Sequence, residues 1–119
     1  MPKSKEQEFI QLKYALAFKK LLDENKAKKL ENKAVDIKDH NLVDSLGKLS
    51  SATGLRVATL SDVFTGKSNP EAVTIDLIIE GLGKTFSQFG FYYDHLDEKK
   101  VLEYRKEIEK SRKERAKKK

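Results

Sequence analysis

The chain has 119 residues, 38% hydrophobic and 37% charged, with a net charge of +6, a balance that implies one domain with a small core and polar extensions. Cysteine is absent, which excludes disulfides, thiolate chemistry and a cysteine zinc site. No apolar run nears the ~20 residues that span a bilayer, and residues 1–8 lack a signal-peptide pattern, so a cytoplasmic protein without membrane association is expected.

After a short basic start at Lys3 and Lys5, the stretch from Gln7 to Lys29 has a helical pattern. Ile10, Tyr14, Phe18 and Leu21 fall at i, i+4, i+8 and i+11, Phe9, Leu12, Leu16 and Leu22 widen the stripe, and no Gly or Pro interrupts it. This spacing predicts a helix over 9–26, whose apolar side either completes an intramolecular core or meets a second subunit. Residues 26–39 are polar and mixed in charge, with Ala34, Val35 and Ile37 as their apolar patch. Asp39 or Asn41 is placed to cap the next helix, predicted over 41–51, because short side-chain acceptors bond the free amides of a first turn. Leu42, Leu46 and Leu49 share one face of it.

Gly54 ends that pattern, since it can adopt the left-handed conformation. The next helix is predicted over 57–64, with Leu60 and Val63 sharing a face with Val57 and Phe64, and Ala58, Ser61 and Asp62 facing away. Thr65 to Pro70 is dense in turn residues. Val73, Leu77, Ile78 and Leu82 then form a stripe over 72–81, softened at its end by Gly81 and Gly83. Thr85 or Ser87 caps a further helix, 87–93, with Phe86, Phe89, Tyr92 or Tyr93, and Leu96 as its apolar side. Gly90 within it costs about 1 kcal/mol relative to Ala. Phe86, Phe89, Phe91, Tyr92 and Tyr93 exceed what one helix face can bury, which leaves either an interface or exposed aromatic rings. No segment alternates with period two over a strand's length, so an all-α fold is expected.

Helix, tight glycine turn, helix is the helix-turn-helix arrangement, whose second helix can enter a DNA major groove. The stretch resembles the lambda-repressor-like (Cro/C1, or XRE) helix-turn-helix family of transcriptional regulators. Leu49, Gly54-Leu55, Thr59-Leu60-Ser61 and Gly66-Lys67-Ser68-Asn69-Pro70 carry the resemblance, the last being similar to the family's NGK-x-NP close. Residues 72–83 and 86–89 look like the family's last two helices, so the resemblance covers roughly 41–96. It implies a five-helix domain over 1–97 with its motif core at 41–70, an extended N-terminal helix, and a basic, partly helical tail at 98–119. The implied function is a DNA-binding transcriptional regulator, a homodimer on double-stranded DNA, with no cofactor and no metal. On this resemblance base edges meet Val57, Ala58 and Asp62, with Ser61 beside them. Arg56, Thr59, Lys67 and the amides of the Gly66 turn suit phosphates, and Asn69 completes the DNA-binding set. Two residues depart from the family: Leu46 stands where it often has a phosphate-binding Gln, and Phe64 where it often has an ion-paired Glu.

Charge runs against the reading head. Residues 98–119 hold eleven Lys/Arg against five Glu, residues 1–97 hold fourteen of each sign, and 40–97 hold four basic against seven acidic residues. The competing reading is therefore a protein-interaction module on the same fold, such as an antitoxin-like partner, with the basic tail holding an acidic protein or RNA. Catalysis is not expected. His40 and His95 lie far apart in sequence without metal-ligand spacing, and Gly81-x-Gly83-Lys84-Thr85 lacks the four intervening residues of a phosphate loop.

Overall fold

Six helices and no strand occur among the residues that the computed structural model describes, 5–35 and 42–117, with backbone alone for 116 and 117. They are α1 (Lys5–Ala34), α2 (Leu46–Thr53), α3 (Val57–Phe64), α4 (Ala72–Gly81), α5 (Phe86–His95) and α6 (Glu98–Lys117). The count is one more than the five expected, because α6 is a full helix of 20 residues. Asp39, His40 and Asn41 lie outside the described residues.

α1 is the central element and packs against α3, α5 and α6, while α2 packs against α3 and α4. Its position explains why burial around it is wider than one stripe: Ala15, Leu16, Ala17 and Phe18 are consecutive, turn through most of the helix circumference, and are all buried. The small residues Ala15 and Ala17 let neighbouring helices approach closely. Ile10, placed on the stripe by its spacing, is 40% exposed instead. Phe18 meets Phe64 at 5.8 Å and Phe89 at 4.9 Å between ring centres, and Tyr14 meets Phe89 at 5.6 Å and Tyr93 at 4.9 Å. Much of the aromatic surplus of α5 is thus consumed inside the molecule; Phe86 and Phe91 stay exposed.

Polar groups fix where α1 meets its neighbours. Asn25 is buried, and its Nδ2 donates to the carbonyls of Val43 at 2.8 Å and Leu82 at 3.0 Å. One amide therefore ties α1 to the start of α2 and the end of α4. Asp44 accepts from Lys48 at 2.8 Å and Lys29 at 3.0 Å, and these contacts lower its pKa to about 2.

The expected helix over 41–51 starts later, at Leu46. Ser45 is the cap, its Oγ accepting from Lys48 N at 3.2 Å, and Leu42 lies before the helix rather than on its face. Along α4 the buried residues are Ile78 and Ile79, followed by Leu82, with Ile75 packed against them; Val73 is 69% exposed. Of the two caps considered for α5, Thr85 serves, in a reciprocal capping box with Gln88. Phe86 lies outside the core rather than on the inner face of α5.

Candidate nucleic-acid interface

α2 ends at Gly54, which adopts φ +79°, and three residues later α3 begins. The turn is held by side chains of α2: Ser50 Oγ donates to Leu55 O at 2.5 Å, and Leu55 N donates to Thr53 Oγ1 at 3.1 Å. Leu49 and Leu60 are fully buried on either side of it. The orientation of α3 is therefore set by both packing and hydrogen bonds.

On α3, Leu60, Val63 and Phe64 enter the core. A step of 100° per residue then places Ala58, Ser61 and Asp62 on the outward side and Val57 beside Phe64, where the first turn of the helix leaves it exposed rather than packed with Leu60 and Val63. Val57 is 48% exposed, Ala58, Thr59 and Asp62 are exposed, and Ser61 is half-buried. Arg56 occupies the N-cap in extended backbone, without a side-chain cap, and is exposed. Lys67 and Asn69 are exposed on the loop beyond the other end of the helix. The structure thus brings Ala58, Ser61 and Asp62 together on one face, leaves Val57 exposed at its edge, and puts Arg56 and Lys67 at opposite ends of it. Phe64 is buried in the core.

A helix leaves its last four carbonyls without intrahelical partners, and at the end of α3 each finds one. Ser61 O accepts from Thr65 N and Thr65 Oγ1, Asp62 O from Lys67 N at 2.9 Å and Ser68 N at 3.3 Å, and Val63 O from Gly66 N at 3.2 Å. Gly66 has φ +75°, and a Cβ there would lie 2.9 Å from Leu12 Cδ2, so glycine is required for both conformation and space. The fourth carbonyl, Phe64 O, accepts from Tyr104 Oη of α6. Burial raises the pKa of this phenol, which keeps it a donor.

This last contact shows what the sequence reading missed. Asp97 Oδ1 accepts from Lys100 N at 2.8 Å and starts α6, whose Val101 is fully buried, Tyr104 buried and Ile108 packed on the core. The first turns of the segment read as a tail belong to the packed body. A signal was present: Asp97 is followed by Val101, Tyr104 and Ile108 at helical spacing, within a sequence dominated by charge. A groove of about 330 Å³ separates α6 from the end of α3, bordered by Ser61, Thr65 and Lys67 on one side and Ser111, Arg112 and Arg115 on the other.

His95 Nδ1 lies 2.6 Å from Phe91 O, and its ring lies 4.4 Å from that of Phe91, a local contact within α5. Among the described residues no group of three or more His, Cys, Asp or Glu is arranged to hold a metal ion, and no helix is long and apolar enough to cross a membrane. Compared with protein-family models, curated proteins and solved structures, the chain matches nothing.

Proposed function

We propose that this protein is a DNA-binding transcriptional regulator of the lambda-repressor-like helix-turn-helix type, with α3 as the helix that enters the major groove. The observation that carries the proposal is the two-sided character of α3: Leu60, Val63 and Phe64 anchor it while Val57, Ala58 and Asp62 are exposed beside Ser61. Val57 and Ala58 then contact thymine methyl groups, and Asp62 accepts from cytosine N4. Arg56 and Lys67, at the two ends, contact phosphates and position the helix without specifying sequence. No Arg, Asn or Gln stands on the face between them, so direct readout is weak and DNA shape contributes. The same proposal places the protein in the cytoplasm and pairs two copies on a two-fold site.

A titration of duplex DNA by fluorescence anisotropy, with Arg56→Gln alongside the natural chain, tests this. Arg56→Gln weakens binding to all duplexes alike. A variant that binds as tightly as the natural chain removes Arg56 from the interface.

One observation favours a second reading. Asp62 is the single charged residue between Val57 and Phe64 and is exposed, which suits a basic surface of a partner protein as well as a cytosine. Natural chain that binds no duplex even at low salt decides for that partner.

A further inference from the structure

α3 carries an exposed aspartate and no cation along its length, whereas duplex DNA is held mostly through its phosphates. The positive charge has to come from neighbouring elements, and the groove beside Ser61 is where the fold gathers it. Lys19, Lys67, Arg112 and Arg115 border this groove against one carboxylate, Glu107. Lys19 is already paired with Asp23 at 2.8 Å. Arg112 and Arg115 are exposed, and among the described residues neither forms an ion pair.

These two arginines are held in register with α3. Tyr104, two to three turns earlier on α6, donates to Phe64 O at the last residue of α3, and Val101 is buried a turn before that. Steps of 100° put Tyr104, Ile108, Ser111, Arg112 and Arg115 on one side of α6, and Leu102, Lys106, Lys110 and Lys113 on the other. The basic residues of α6 are thus divided between two faces, of which one borders the groove.

We propose that the α3-facing side of α6 is a phosphodiester-binding surface, with Arg112 and Arg115 as its contacts to the DNA strand that flanks the groove entered by α3. The proposal rests on α3 being the DNA-binding helix. It differs from a diffuse basic tail, for which the position of a charge on the helix has no consequence. Guanidinium groups suit the role because their planar donors bind phosphate oxygens in pairs.

The test compares two charge-matched double variants of the full chain, Arg112→Gln/Arg115→Gln and Lys106→Gln/Lys113→Gln, each checked for natural helicity by circular dichroism. Binding to one duplex is measured between about 50 and 200 mM salt. The arginine pair weakens binding about tenfold and flattens the slope of log K against log salt by about 1.8, two phosphate contacts at about 0.9 each. The lysine pair changes the affinity less than about twofold, because long-range attraction alone is screened at this salt. Equal losses from the two pairs, or none from the arginine pair, overturn the assignment while leaving the α3 reading intact. If the natural chain binds no duplex in the same titration, both fall together.

Discussion

Tyr104→Phe removes one hydroxyl and keeps the ring, so it isolates the contact that joins α6 to α3. Tyr104 and Phe64 are both buried, and the other three terminal carbonyls of α3 take their protons from the loop between Thr65 and Ser68. No amide of that loop bonds Phe64 O. The substitution therefore leaves a buried carbonyl without a donor, which costs about 1–3 kcal/mol. No cavity term adds to it, since the aromatic ring stays. Against a stability of about 5–15 kcal/mol for a domain, that is a readable loss: the urea midpoint, followed by circular dichroism, falls by about 1 M at an unchanged slope. Val101→Ala, which removes two methyl-sized groups from a fully buried site, costs about 1.6 kcal/mol or more by a different route. An unchanged midpoint for both variants refutes the view that α6 is part of the packed body. A chain cut after Asp97 loses both contacts and is destabilised, so its DNA affinity does not isolate the effect of tail charge.

Two glycines respond in opposite directions. Gly90→Ala in α5 stabilises the protein by about 0.5–1 kcal/mol, since a Cβ there meets nothing within 4 Å; Gly81→Ala destabilises it by about 1–3 kcal/mol, because the new Cβ lies 2.6 Å from Thr53 Cγ2 and 2.9 Å from Leu49 Cδ1. Thermal melts of the two variants check the signs. The lowered pKa of Asp44, caused first by its hydrogen bonds to Lys48 and Lys29, makes its ion pairs a stabilising term that is full above pH 3.8 and lost as pH falls through about 2. Unfolding free energies of Asp44→Asn and the natural chain, from urea titrations, therefore converge toward that pH and separate by up to about 1 kcal/mol per pair at neutrality. Light scattering at high micromolar concentration reports a homodimer, held through exposed apolar groups that include Phe86, Phe91 and Ile10; a monomer with and without DNA contradicts it.

The sequence was most legible where packing and turn chemistry agree. α3 and α4 have the expected bounds because Gly54, the Thr65–Pro70 turn and Gly81 punctuate apolar runs of helical spacing. Spacing alone does not show the start of α2, because Leu42 continues the spacing of Leu46 and Leu49, while Ser45 supplies a cap in mid-pattern. Spacing places Val73 and Phe86 inward, yet each completes its stripe at the first turn of its helix, where the chain has not yet reached the core. Ala58, Ser61 and Asp62 follow directly from the inward residues of α3; Val57 does not, because its spacing groups it with Phe64 while the first turn leaves it exposed. The groove beside them does not follow either, because it joins Ser61 and Lys67 to Arg112 and Arg115 across more than forty residues. Local spacing carries no information about which distant helix closes against the end of α3; that was set by the hydroxyl of Tyr104 and the burial of Val101.

Selection from a random pool of duplex DNA tests the central claim most directly. If α3 reads the major groove, the natural chain enriches a sequence motif, repeated with two-fold symmetry about 10 bp apart in a dimer. Asp62→Asn then changes the preferred base at a defined position by about 1–3 kcal/mol, while Arg56→Gln recovers the same motif with weaker binding throughout. A pool that emerges without any enriched motif, or a motif indifferent to residue 62, contradicts the account.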